Sequence, residues 1–245
     1  MSTSATIPKL IRNAHGERIA FSFVAGEPES RELIVIGHGV TSDKERPWSE
    51  GLSTRLAESG VASLRIAWSG NGDSEGSFAD STVTKEVADL GAVLDALDPA
   101  WRVSFVGHSM GATVGVLTAA GDRRIHRLVS LAGLVHTKEF MERYFGHLSV
   151  GDFMLGKPHC PLSNQLVEDL HSIETVVHKA QEIHVPWLIV HGTSDTVIPI
   201  GHSRDMMTVA ESAELVELPN VDHSFTGKGL AQLANAVVPW LLRPN

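Results

Sequence analysis

The sequence predicts an α/β protein, with a mostly parallel central sheet flanked by helices. Short apolar runs alternate with longer amphipathic stretches, and Gly-rich turns join them. One run, Leu33–His38 (LIVIGH), is apolar on successive residues, the pattern of a strand covered on both faces. The chain of 245 residues suits one large domain with a sizeable core.

The elements follow in order. Ile19–Val24 reads as an early strand, paired with one near Ile7–Arg12. Leu33–His38 is the central strand. Ser49–Ser59 reads as a helix stopped by Gly60, and Val61–Trp68 as the next strand. Ser69–Asp80 is a Gly/Ser/Asp loop. Over Thr82–Leu97, Val83, Val87, Leu90, Val93, Leu94 and Leu97 fall near helical spacing. Arg102–Gly107 is a strand, Met110–Ala120 a helix of small residues, and Leu128–Ala132 a strand. Pro186–His191 and Ala213–Leu218 complete the strands, followed by helices at Gly201–Ala210 and Gly229–Leu242 respectively.

Between them, Leu134–His184 breaks the alternation. A structureless loop of that length does not suit a compact domain. The segment is therefore expected to be helical, part of it a small cap inserted over the carboxyl edge of the sheet. Its Phe, Met and Leu residues either line a substrate pocket or pack the segment onto the core.

Composition narrows the function. Hydrophobic residues make up 42% and charged residues 20%, as in an ordinary soluble globular protein. A net charge of −9 argues against non-specific nucleic-acid binding. Cys160 is the single cysteine, which precludes an intramolecular disulfide. Met1–Leu10 lacks the apolar core of a secretory peptide. No uninterrupted apolar run approaches the roughly 18–20 residues of a membrane span. A cytoplasmic location is expected. There is no HExxH and no paired CxxC, so neither metal nor cofactor is expected.

Gly107-His108-Ser109-Met110-Gly111 matches G-x-S-x-G between a predicted strand and a predicted helix. A nucleophile there sits on a sharp, strained turn, so its flanking residues must be small. A serine hydroxyl is a weak nucleophile until a base takes its proton. Histidine suits that role near neutrality, and a carboxylate must orient it. Asp195 lies in a loop directly after a predicted strand, and so does His223. Ser109, Asp195 and His223 thus follow three separate strands, in the order nucleophile, acid, base.

The chain has 13 histidines, and His223 alone combines this order, a strand-end loop and an upstream acid. His38 and His108 read as supporting or turn residues beside the site, and His184 and His191 as structural. Asp222 competes with Asp195, but adjacent residues rarely aim side chains at each other, so it reads as a turn former. Asp169 and Asp205 fall inside helical patterns.

Acyl transfer needs N–H donors for the oxyanion. One should be the backbone of Met110, just after the nucleophile. The other should come from His38-Gly39-Val40-Thr41, where Val40 is the candidate. Gly70–Gly76 (GNGDSEG) has Glu75 where a dinucleotide loop needs a third Gly, and it lacks the Lys-Ser/Thr of a phosphate loop. It reads as a tight loop bordering the site.

Together these residues resemble the α/β-hydrolase superfamily. Among its members the chain is most similar to small carboxylesterases of the cinnamoyl/feruloyl-esterase-like, serine-peptidase-like group. The resembling stretches are Gly37-His38-Gly39, Arg65–Gly76, Gly107–Gly111, His191–Pro199 and Asp222–Phe225. That group often carries a bulky residue or Gln after the nucleophile and an aromatic after His-Gly, where this chain has Met110 and Val40. The resemblance implies a serine esterase acting on a small-molecule ester, with no cofactor. Thioesterase, peptidase, carbon–carbon hydrolase and acyltransferase chemistry use the same triad, and the fold also serves non-catalytic binding.

Overall fold

The computed structural model describes residues 5–244, so the first four residues of the polar Met1–Leu10 segment lie outside the described residues. A short antiparallel ribbon pairs β1 (Ile11–Arg12) with β2 (Arg18–Ile19). The main sheet contains β3 (Phe21–Val24), β4 (Glu32–Gly37), β5 (Ala62–Ile66), β6 (Arg102–His108), β7 (Ile125–Leu131), β8 (Trp187–Gly192) and β9 (Ala213–Leu218). Its order is β3-β5-β4-β6-β7-β8-β9. Only β3 runs antiparallel to its neighbour.

Ile19–Val24 is not one strand. It breaks at Ala20, whose N–H donates to Ser74 Oγ at 2.8 Å and whose carbonyl accepts from the Ala67 N–H at 2.9 Å. Ile19 stays with Ile11, while Phe21–Val24 runs beside β5.

Alternation along β4 sets the layers. Leu33 and Val35 point into one core with α2 (Val83–Ala96) and α3 (Met110–Gly121). Ile34 and Ile36 point into the opposite core with α1 (Pro47–Glu58) and α7 (Lys228–Leu241). Helix α1 begins two residues before the expected Ser49, because Pro47 at the first helical position sacrifices only an N–H that has no intrahelical partner. Its exit uses Gly60 at φ +78°. Helix α2 opens on Thr82, whose side chain accepts from the Lys85 N–H at 3.0 Å.

Between β7 and β8 lie α4 (Thr137–Phe145), a 3-10 turn at Met154–Gly156, α5 (Asn164–Ile173) and a 3-10 turn at Val177–Glu182. Phe140, Met141, Phe145, Met154, Leu166 and Leu170 of this segment are buried and join the core under α2 and α3. Each large apolar side chain buried this way contributes roughly 1.5–3 kcal/mol. Beyond β8, α6 (Gly201–Met207) precedes β9. Since β4, β6, β8 and β9 are parallel, their carboxyl ends share one edge, where open α/β sheets place ligands.

Candidate active site

Ser109 is the single residue between β6 and α3. Its backbone has φ 54° and ψ −119°, a region that residues with side chains adopt only under constraint. The constraint is visible. The Ser109 N–H donates to Leu131 O at 2.9 Å, and its carbonyl accepts from Ala112 at 3.0 Å and from Leu134 at 3.1 Å. A Cβ on Gly107 would stand 2.2 Å from Gly111 O, and one on Gly111 would stand 2.4 Å from His38 O. The two glycines let strand, turn and helix meet. Met110 opens α3, so its N–H lies in the first turn, where a helix offers no acceptor.

The loop after β4 lies against Ser109: a Cβ on Gly39 would stand 2.8 Å from Ser109 Cβ. His38 ties this loop down. The Trp68 N–H donates to His38 Nε2 at 3.3 Å, which leaves the ring proton on Nδ1, and Nδ1–H donates to Gly39 O at 2.9 Å. The Trp68 indole N–H donates to His38 O at 2.9 Å. Burial pushes the His38 imidazole down to about 4, so it is neutral in ordinary buffers.

Asp195 and His223 follow β8 and β9. Their loops are joined by Ser194 N–H to Val221 O at 3.0 Å and by Asn220 N–H to Thr193 Oγ1 at 3.0 Å. His223 Nδ1–H donates to Asp195 Oδ2 at 2.7 Å. The other carboxylate oxygen, Oδ1, accepts from the N–H groups of Val197 at 2.8 Å and Ile198 at 2.9 Å. Burial alone would raise the Asp195 pKa. Hydrogen bonds from His191 and His223 outweigh it and hold the carboxyl well below the usual carboxylate range. Asp222 instead turns its own loop, accepting from the Thr226 N–H at 2.8 Å.

His191, expected to be structural, proves to touch Asp195. Its Nε2 lies 3.2 Å from Asp195 Oδ2 and 2.9 Å from Ile198 O, while Nδ1 lies 2.7 Å from Ser203 Oγ. Two acceptors facing Nε2 place the proton there. His108 reaches His223 through the backbone: its Nε2–H donates to His223 O at 2.8 Å. Its ring also packs against His223, with centroids 4.7 Å apart. Burial, with the His223 charge adding to it, pushes the His108 pKa down to about 3.

Ser109 and His223 open on a cleft of about 210 Å³, which Val40 also lines. Phe140, Tyr144 and Leu155 from the segment before β8 line it too. Phe145 and Met154 of the same segment are instead buried in the core, and Phe153 is exposed. Tyr144 donates its hydroxyl to Thr196 O at 2.7 Å, tying this segment to the Asp195 loop. Among the described residues no group of three or more His, Cys, Asp or Glu is placed to hold a metal ion. No helix of the described residues is long and apolar enough to cross a membrane.

Residues 28–154, just over half the chain, match the family described as serine aminopeptidase, S33. The chain belongs to this family. This S33 chain is 26% identical to the uncharacterized protein YfhR of Salmonella typhimurium over 239 residues, which is 93% of this chain and 76% of that protein. It is also similar to Est1E from Butyrivibrio proteoclasticus in the structure with bound ferulic acid. There the TM-score is 0.85 at 26% identity, over 96% of this chain and 98% of that one. The mouse alpha/beta hydrolase domain-containing protein 10 shares the fold, with a TM-score of 0.77 at 17% identity over 98% of each chain. Family and fold together make the S33 chain an α/β hydrolase.

Proposed function

We propose that this protein is a serine esterase cleaving carboxylic esters with small to medium acyl groups, using Ser109 as nucleophile, His223 as base and Asp195 as the acid that orients it. The observation that carries the reading is the 2.7 Å bond from His223 Nδ1 to Asp195 Oδ2, at the sheet edge where Ser109 stands on its strained turn. With Nδ1 donating to the carboxylate, Nε2 is left as the acceptor that a base needs.

His223 Nε2 takes the Ser109 hydroxyl proton as Oγ bonds to the acyl carbon. The carbonyl electron pair moves onto oxygen, where the Val40 and Met110 N–H groups hold it; each such donor lowers the barrier by about 3–4 kcal/mol. The C–O bond to the alcohol breaks, and the alcohol leaves with the proton from His223. Water then gives a proton to His223 and attacks the acyl-enzyme. The acid departs, and the proton returns to Ser109.

The likeness to Est1E, whose structure holds ferulic acid, supports an ester-type substrate. The cleft of about 210 Å³ favours a compact one. Phe140, Tyr144 and Leu155 offer the apolar part of an ester a surface, which makes the helical segment before β8 a substrate-facing cap. The family description raises a second reading, release of N-terminal amino acids. An aminopeptidase needs a group to hold the substrate ammonium, and among the described residues no Asp or Glu lines this cleft.

A fluorophosphonate probe tests the proposal directly by intact mass. Wild type should gain one adduct, and Ser109→Ala and His223→Ala should not. A folded wild type that stays unlabelled would overturn the esterase reading; labelling justifies an ester chain-length panel beside amino-acid amides.

A further inference from the structure

The chain carries a net charge of −9, yet among the described residues the cleft at Ser109 is lined by Arg46 and Lys157 and by no carboxylate. Arg46 comes from the turn before α1, and Lys157 from the segment between β7 and β8. They are far apart in sequence, and both line this cleft. Neither has a carboxylate partner among the described residues. Of the acidic neighbours, Glu45 pairs with Lys44 at 2.8 Å and Arg65 at 3.3 Å, Glu50 with Arg65 at 3.6 Å, and Asp43 accepts from the Glu45 N–H at 2.9 Å. Lys157 Nζ donates one hydrogen to Thr41 O at 2.6 Å, which holds the ammonium over the loop that carries Val40 and leaves two N–H donors unused. Thr41 and Ser42 line the same side. Burial keeps His38 and His108 neutral; the Arg46 charge acts in the same direction at both rings, against the stronger opposing charges of Asp43 at His38 and Asp195 at His108.

Resting on the esterase reading, we propose that the cleft selects esters bearing an additional anionic group, a free carboxylate, which Arg46 and Lys157 receive while Phe140, Tyr144 and Leu155 cover the apolar remainder. A planar guanidinium matches a carboxylate in two parallel bonds, and an ammonium adds a third donor. On an otherwise acidic molecule the cleft is the place where such a substrate is attracted rather than repelled.

The test compares pairs that differ by a carboxylate in place of a methyl group: 4-nitrophenyl hydrogen glutarate against 4-nitrophenyl pentanoate on the acyl side, and 4-acetoxybenzoate against 4-methylphenyl acetate on the alcohol side. The expected kcat/KM ratio favours the anionic member of one pair by about tenfold or more, the effect of a hydrogen bond to a charged group. The ratio should fall toward one in Arg46→Gln and Lys157→Gln, mainly through KM, and Arg46→Lys should keep part of it. Added salt should erode it in the wild type, a readout that needs no variant to fold. A ratio near one in both pairs, or one that neither salt nor substitution moves, overturns the proposal. Calorimetry of monomethyl glutarate and methyl pentanoate on Ser109→Ala reads the same preference without turnover. Anion preference there without hydrolysis in the wild type would sink the esterase reading alone; hydrolysis without preference would sink this inference alone.

Discussion

His191 and His223 share one oxygen of Asp195: Oδ2 lies 2.7 Å from His223 Nδ1 and 3.2 Å from His191 Nε2, and neither the carboxylate nor His191 has exposed side-chain area. A buried carboxylate held by one histidine alone would leave that oxygen short of donors. Replacing His191 with Phe keeps bulk but removes the donor. The expected cost is about 1.5–3 kcal/mol of stability at pH 7, as for a hydrogen bond to a buried charge. The pH dependence identifies the cause. The Asp195 pKa is depressed in the folded state, so its stabilisation is present above the unfolded value of about 3.9 and fades as pH falls below it. The gap between wild type and His191→Phe should therefore narrow from pH 7 to pH 3 in urea titrations. An unchanged gap would assign the loss to packing alone.

Glu86 should behave in the opposite sense. It is buried, its Oε1 accepts from Ser81 Oγ at 3.3 Å, and its Oε2 has no hydrogen-bond partner. Burial, and then the Asp89 charge, push its pKa well above the ordinary carboxyl range. The folded protein thus keeps a proton that the unfolded chain releases near pH 4.3 or so. Stability from this group is complete below that pH and declines as pH rises toward the folded value. Glu86→Gln should match wild type near pH 4 and exceed it near pH 8, read as a higher urea midpoint. Equal midpoints throughout would show that Glu86 is ionised in the fold.

The loop after β4, which carries the proposed oxyanion donor Val40, has no room for a methyl group at Gly39. In Gly39→Ala the new Cβ would stand 2.8 Å from Ser109 Cβ and 3.2 Å from Oγ. Activity should drop by about 10²–10³-fold, comparable to losing an oxyanion donor, while the fold survives. Ester kinetics beside a melting curve check this. Full activity would mean that Val40 is not an oxyanion donor.

With His38 and His108 held down at about 4 and 3, neither changes charge between pH 5 and 8. The acid limb of log kcat/KM against pH should therefore rise with a slope of one, reporting one essential base. A slope of two would show that a second group titrates with it.

The sharp turn at Ser109 was readable because its demands are local. Ser109 needs two small neighbours between a strand and a helix, and Gly107 and Gly111 stand where a Cβ would strike backbone at 2.2 and 2.4 Å. The parallel sheet was readable for a similar reason, since burial on both faces leaves Leu33–Gly37 no polar residue to alternate. The break at Ala20 was not: Ile19–Val24 looks continuous until Ser74 and Ala67, distant in sequence, claim its hydrogen bonds. Pro47 was a visible start signal for α1, two residues before the Ser49 chosen for it.

His191 shows where local reading ends. A histidine closing a strand has no pattern that marks it, although its spacing of four residues before the loop acid was a usable hint. Only the fold of residues 192–198 turns Asp195 back onto it. Arg46 and Lys157 carry no mutual signal at all; they share a cleft because one segment crosses above the loop of another. By itself the sequence determined the βα order, the turn that carries Ser109, and the strand-end positions of Asp195 and His223, because backbone sterics and hydrophobic period act over a few residues. The tertiary structure alone decided which donors surround the Asp195 carboxylate and which charges face the cleft, because both depend on desolvation and on contacts between residues that the chain keeps far apart.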